Sequence, residues 1–260
     1  MRPKTVPGAY ETDVRRKKLP RRTLRKELEV ATWNVQTLLQ AGKLTNVISE
    51  MNRANIEILG IAEARWKGSG YFTTESGELV IYSGGNTLQA GVAVIFARNA
   101  ATCLKAYRVV SNRILYVQIQ AAPFDISFLQ VYAPTAAASE QELDEFYLQV
   151  QQEIDSVPGQ DVVIVAGDFN AKEGKDIPNR EVGGKWGLGG MNEAVERLLD
   201  FCAENGLVIT NTLFQHHDRR KHTLMSPDGK TKNQIDYILV SNRFRKCVTN
   251  SRAYPGADCA

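Results

Sequence analysis

Long apolar runs are missing from this chain. Nothing in its 260 residues approaches the roughly 18–20 consecutive apolar residues that span a bilayer. The charged N-terminus has no apolar h-region behind it, so neither a membrane span nor a secretory signal is read here. Cysteine is scarce as well: Cys103, Cys202, Cys247 and Cys259 are scattered, with no C-x-x-C pair. That argues against a disulfide framework or a zinc knuckle and fits reduced thiols in an intracellular protein, nuclear or cytoplasmic. No repeat at a period of 20 to 50 residues is visible, and no internal linker marks a second domain. Net charge is also low, at +3.

The low net charge hides an uneven distribution. Residues 1–26 hold ten Lys/Arg against Glu11 and Asp13, whereas the remaining 234 residues carry 22 basic and 27 acidic side chains. Like charges and Pro3, Pro7 and Pro20, without apolar periodicity, make residues 1–27 a flexible basic arm ahead of a domain over 28–260. The arm is either a solvated tail or a patch for DNA phosphates or nuclear localisation, centred on Arg15, Arg16, Lys17, Lys18, Arg21 and Arg22.

From Leu28 onward, short apolar runs alternate with turn residues. Strands are predicted at 28–35, 56–62, 78–83, 90–96, 115–120, 126–132, 162–166, 207–211 and 236–240. Helices are predicted at 43–52, 140–155 and 193–204. Ser139 with Glu142 forms a capping box before the second, and Asn192 caps the third. Many strands, several in hairpins, with only three helices do not make a βαβ repeat. They suggest a β-rich α/β sandwich with helices outside packed sheets.

Polar residues stand where the apolar runs end. Val30-Ala31-Thr32-Trp33 runs into Asn34, Ile58 through Ala62 into Glu63, and Phe128 through Val131 into Tyr132. Val162 through Ala166 passes Gly167 into Asp168-Phe169-Asn170, and Asp236 is flanked by Ile235 and Tyr237. A polar group at a strand end sits on the sheet rim, where a ligand reaches it and no unpaired charge is buried. Asn34, Glu63, Asp168, Asn170 and Asp236 offer hard oxygens, which suit Mg²⁺, Mn²⁺ or Ca²⁺ rather than zinc. A Mg²⁺ held by one or two carboxylates serves phosphoryl chemistry, Asp168 can orient or deprotonate a water, and Asn170 and Tyr132 can donate to phosphate. Each residue has a plainer reading. A single Asp after a strand is more often a turn or cap residue, and Glu63-Ala64-Arg65-Trp66 reads equally as a surface ion pair beside a half-buried Trp. Gly183 through Gly190 lacks the G-K-[ST] ending of a phosphate loop and reads as a rim loop.

The order of these motifs resembles a known family. Thr32-Trp33-Asn34-Val35, Glu63, Val131-Tyr132-Ala133-Pro134, Gly167-Asp168-Phe169-Asn170 and Gln234-Ile235-Asp236-Tyr237-Ile238 look like the endonuclease/exonuclease/phosphatase superfamily. The nearest likeness is to the apurinic-type endonuclease domain of RTE/Bov-B non-LTR retrotransposons and to craniofacial development protein 2-like proteins. Gly189 through Asn192, Asn211-Thr212 with Phe214, and Thr223 with Ser226 through Gly229 agree with it.

The resemblance implies a DNase I-like four-layer α/β/β/α sandwich that cleaves the phosphodiesters of DNA as a magnesium-dependent endonuclease, Mn²⁺ being the alternative metal. It makes Glu63 the metal-binding carboxylate helped by Asn34, and Tyr132 a phosphate contact. Asp168 becomes the group that positions or activates water, Asn170 its partner on phosphate, and Asp236 the carboxylate that orients a histidine. Gln36 replaces an Asp found in some relatives. Members carry a Ser-Asp-His motif and a final strand after the Ile-Asp-Tyr-Ile element, whereas here Gly256-Ala257-Asp258-Cys259-Ala260 closes the sequence. The expected domain is therefore C-terminally incomplete, with reduced competence and a missing strand, and His216, His217 and His222 form a solvated loop. A downstream reverse-transcriptase region in a longer parent is the implied partner beside DNA. The alternatives are a non-catalytic remnant that binds nucleic acid or protein, and a phosphatase of the same superfamily.

Overall fold

The computed structural model describes residues 27–135, 137–171, 181–186, 193–225, 232–254 and 257. The basic arm over 1–26, Asn192 as a helix cap, the 189–192 and 226–229 stretches and Asp258 lie outside the described residues. The described residues divide into two compact units, those within 27–132 and 152–167, and those within 133–151 and 168–257.

The first unit begins with β1 (Val30–Asn34), helix α1 (Lys43–Arg53) and β2 (Ile58–Ala62). Then come β3 (Ser69–Thr73), β4 (Leu79–Ser83) and β5 (Val92–Phe96). These five strands form one mixed sheet in the order β1-β2-β5-β4-β3, with β1 and β2 parallel and the other pairs antiparallel. Every residue of β2 and β5 is buried, as expected of strands covered on both faces. On one face, Val47, Ile48 and Met51 of α1 pack with Leu59, Ile61, Val80, Ala93 and Ile95. Their i, i+1, i+4 spacing is the apolar stripe that commits this segment to a helix against a sheet.

The opposite face of that sheet meets β6 (Leu104–Ser111), β7 (Ile114–Ile119) and β8 (Ile126–Tyr132), and β9 (Val162–Asp168) adjoins β8. Here the strand order is β9-β8-β7-β6, with β6–β7 and β7–β8 antiparallel. A polar chain closes the interior: Gln118 Nε2 and Ser127 Oγ donate to Asp161 at 2.8 and 2.9 Å, so that buried carboxylate is satisfied. Arg108 of β6 reaches Glu153 in the last turn of α2 (Glu140–Asp155) and donates to Ser156 at 2.8 Å.

In the second unit, α2 starts on the predicted capping box, with Ser139 N–H donating to Glu142 at 3.0 Å and Glu142 N–H to Ser139 Oγ at 3.3 Å. Helix α3 (Glu193–Glu204) buries Val195, Leu198, Phe201 and Cys202 and packs on β10 (Leu207–Ile209). The short strands β11 (Leu224–Met225) and β12 (Lys232–Asn233) pair antiparallel, and β13 (Asp236–Ser241) pairs antiparallel with β10.

The architecture is α/β, with two mixed sheets and flanking helices, as the sequence leads one to expect. All nine predicted strands and three helices are present, though the 207–211 segment is a strand only to Ile209 and then a 3-10 turn over Thr210–Thr212. Strands β3 and β6 were not expected from the sequence. Both lie at sheet edges and are half exposed, so their apolar alternation is diluted, and β6 carries two register shifts against β7. No disulfide joins the described cysteines, and none of the described helices is long and apolar enough to cross a membrane.

Candidate active site

Parallel pairing of β1 and β2 sets Asn34 beside Ala62, so both strands end together at one rim. The next residue, Glu63, turns into the left-handed region with φ 56°, which brings its side chain back over that rim. Asn34 Nδ2 donates to Glu63 Oε1 at 3.0 Å, while Asn34 Oδ1 accepts the Gln36 N–H at 2.9 Å and fixes the amide. Tyr132, the last residue of β8, donates its hydroxyl to the same Glu63 Oε1 at 2.8 Å. Glu63 Oε2 receives Arg65 at 3.0 Å. The ion pair read in Glu63-Ala64-Arg65 therefore exists, inside a larger polar group rather than alone. Burial opposes ionisation of Glu63, but hydrogen bonds from Asn34, Tyr132 and Arg65, and the Arg65 charge, outweigh it and hold the carboxyl below its ordinary value.

Tyr132 is gripped in turn by Arg113, from the turn between β6 and β7. The Arg113 guanidinium lies 5.1 Å over the Tyr132 ring and donates to Tyr132 O at 3.2 Å, while Tyr132 N–H donates to Arg113 O at 2.9 Å. Sequence reading missed Arg113, since an Arg in a hairpin turn carries no signal of its own. It also missed Gln130, which is fully buried on β8 and pairs with Thr32 of β1. The one cue for Gln130 was a lone amide within the apolar run Phe128-Leu129-Gln130-Val131.

In the second unit, Asp168 is almost wholly buried and its Oδ1 accepts the Asn170 N–H at 2.8 Å. Asn170 is left-handed at φ 51° and donates through Nδ2 to Ala133 O at 2.9 Å, while Ala133 N–H donates to Asp168 O at 2.8 Å. Asp168 and Asn170 are thus locked as one turn on the segment that follows Tyr132. The Phe169 N–H donates to Ile235 O at 3.0 Å, which brings the residue before Asp236 against this turn. Asp236 opens β13 buried, its N–H on Thr223 Oγ1 at 3.2 Å and its carbonyl accepting Asn211 Nδ2 at 3.1 Å. The structure therefore brings Asn34, Glu63 and Tyr132 together in one unit, and Asp168, Asn170 and Asp236 onto neighbouring segments of the other. His216 is half-buried and paired with Asn250 at 2.8 Å.

Glycine at 167 is required by the fold. Its φ is 153°, and a Cβ there would stand 1.9 Å from Val131 O, so the approach that places Asp168 admits no side chain.

Residues 31–258 match the Endonuclease/Exonuclease/phosphatase family. The chain belongs to the endonuclease/exonuclease/phosphatase family. It is 40% identical over 254 residues to craniofacial development protein 2 of Bos taurus, an alignment covering 97% of this chain and 42% of that protein. The chain thus spans about two-fifths of the length of this relative. Among solved structures, its fold is similar to the AP endonuclease LMAP from Leishmania major, with TM-score 0.62, 13% identity and 88% and 83% of the two chains covered. It is also similar to the endonuclease domain of TRAS1, a telomere-specific non-LTR retrotransposon, with TM-score 0.54, 17% identity and coverage of 85% and 88%. At these identities the structures establish the fold.

Members of this family are generally divalent-metal dependent. Among the described residues, no place gathers three or more His, Cys, Asp or Glu side chains, so none of them forms a zinc-type cage. Glu63 with the Asn34 amide fits the other pattern, in which one or two hard carboxylates hold Mg²⁺ and waters fill its sphere. The Glu63 side chain is 15% exposed, and that of Arg65, on its Oε2, is 42% exposed.

Proposed function

We propose that the chain hydrolyses phosphodiester bonds of DNA as a metal-dependent endonuclease, with Mg²⁺ or Mn²⁺ held by Glu63 and Asn34. The observation that carries this reading is the clamped carboxylate at the end of β2, Glu63, whose Oε1 accepts hydrogen bonds from both Asn34 and Tyr132. A bound divalent ion supplies charge neutralisation at the non-bridging oxygens of the phosphate. Tyr132 holds Glu63 in place with its one hydroxyl proton, and would contact phosphate by turning that proton away from Glu63. Asp168, with Oδ1 already fixed by the Asn170 N–H, orients an attacking water and takes its proton. Asn170 contributes an amide donor to the phosphate as charge develops on it. Asp236 takes the position of the buried carboxylate that orients a histidine in relatives.

The order of motifs along the chain supports a retrotransposon ancestry for the domain, a longer parent with a reverse-transcriptase region, and DNA as the substrate. The basic residues at 15–22 suit nuclear import as well as phosphate contact. Nicking of supercoiled plasmid in Mg²⁺ tests the reading. The wild-type chain is expected to nick, with Asp168→Ala slower by about 10²–10⁴, the range for loss of a positioned acid or base. Equal rates for the two proteins would remove Asp168 from the chemistry. Turnover of an inositol phosphate with no nicking would favour the phosphatase alternative.

A further inference from the structure

Residues 212–254 carry nine Lys/Arg against three Asp/Glu, together with all three histidines. The other residues of 27–260 carry 13 basic and 24 acidic side chains, so this segment is the basic part of an acidic body. Within the second unit, described parts of this segment are tied to one another. The Ala253 N–H donates to Arg220 O at 2.8 Å, His216 pairs with Asn250, and Thr210 Oγ1 lies 3.0 Å from Ser251 Oγ. The 3-10 turn over Asn242–Cys247 packs on β10 and β13.

A cleft of about 320 Å³ opens in this unit, lined by Gly183, Gly184, Lys185, Trp186, Leu213 and Arg245. Its floor is tied down. Gly184 N–H donates to Thr212 Oγ1 at 2.7 Å and Trp186 N–H to Thr212 O at 3.1 Å. A Cβ at Gly184 would meet Thr212 O at 2.0 Å, so only glycine lets the loop lie this close. Trp186 is half-buried and Lys185 exposed. Beside Arg245 in sequence, Arg243 lies 4.7 Å over the Phe244 ring, and elsewhere in the segment Arg252 lies 5.1 Å over the ring of Tyr254, a residue 42% exposed. Thr212, to which Gly184 and Trp186 are bonded, adjoins Asn211, whose amide holds the Asp236 carbonyl and the Ile238 N–H.

We infer that this cleft and its basic rim form a docking subsite for a nucleic-acid strand, with a base against Trp186 and backbone phosphates on Lys185 and Arg245. Cations track the phosphodiester backbone, and aromatic faces accept bases without regard to sequence, which is the chemistry of single-strand binding. An acidic peptide would use the cations but has no need of the Trp-floored cleft. The inference takes the identity of its ligand from the nucleic-acid reading above, and it does not depend on hydrolysis.

Fluorescence anisotropy of a labelled oligonucleotide tests it, in EDTA and in an Asp168→Ala background so that no cleavage intrudes. Lys185→Gln/Arg245→Gln is expected to weaken binding about tenfold near 0.1 M salt and to flatten the slope of log K against log[salt] by about 1.4, since each phosphate contact contributes about 0.7 for single strands. Trp186→Ala should weaken binding at least fivefold, and Trp186→Phe should restore it. The control pair Arg98→Gln/Lys105→Gln removes the same charge elsewhere and should change affinity less than twofold. Equal losses in the two charge pairs, or unchanged binding in both Trp186 variants, would overturn the subsite. Binding that behaves as described in a chain that never nicks plasmid would keep the subsite and sink only the hydrolase reading.

Discussion

Gly60→Ala separates packing from propensity at the centre of the first unit. By propensity alone, an alanine in a strand stabilises relative to glycine by roughly 0.5–1 kcal/mol, and the backbone here needs no left-handed φ. Packing opposes this. A Cβ on Gly60 would stand 1.7 Å from Oε1 and 2.5 Å from Cδ of Gln130. That amide is fully buried, so it has no solvent to swing into, and its Nε2 donates to Thr32 Oγ1 at 3.1 Å. Overpacking typically costs about 1–3 kcal/mol, and stranding a buried amide a further ~1–3 kcal/mol. Together these exceed the propensity gain and leave about 3 kcal/mol of net destabilisation, or a Tm lowered by roughly 6–12 °C for a domain of this size. Thermal and urea unfolding of Gly60→Ala, Gln130→Ala and the double variant would measure it. The double variant lets the new methyl occupy space vacated by the amide, so it should be at least ~1 kcal/mol more stable than the two single effects summed. A Gly60→Ala protein as stable as wild type, or strictly additive effects, would refute the close inter-sheet packing.

Three further outcomes are expected. Tyr132→Phe removes only the hydroxyl on Glu63 Oε1, so stability should fall by about 1 kcal/mol while nicking slows by about 10²-fold, with plasmid binding little changed. Glu78 is buried, which opposes its ionisation. Hydrogen bonds from Ser76, Thr74 and Asn52 overcome this and hold its carboxyl below the ordinary 4.5. The stabilisation is therefore full above that value and lost as pH falls below it through the folded-state value, so Glu78→Gln should flatten the acid limb of a urea-midpoint series between about pH 5 and pH 3. Ser139→Ala deletes the side-chain half of the capping box of α2 and should cost about 1 kcal/mol by urea titration, Ser139→Asp recovering most of it.

The strands buried on both faces, β2 and β5, were plain in the sequence because unbroken apolar runs have few other uses. The rim residues followed from the same pattern, since Asn34, Glu63, Tyr132 and Asp168 each end such a run. The edge strands β3 and β6 were hidden because an edge has one covered flank and tolerates Ser, Lys and Arg. The hydrogen bonds from Asn34 and Tyr132 to one oxygen of Glu63 were not legible. They depend on β1 and β2 being parallel and on β8 lying across from them, contacts separated by 29 and 69 residues in sequence. Arg113 was invisible for the same reason, as its role comes from a turn that only strand pairing places against Tyr132.

Calorimetric titration of Mn²⁺ into the chain, wild type beside Glu63→Gln, asks most directly whether the clamped carboxylate is a metal ligand. The wild type is expected to bind one ion through Glu63, and the variant, which keeps the shape but loses the charge, to bind it at least tenfold more weakly. Equal affinity in the two proteins would contradict the assignment of Glu63 and the metal-dependent chemistry built on it.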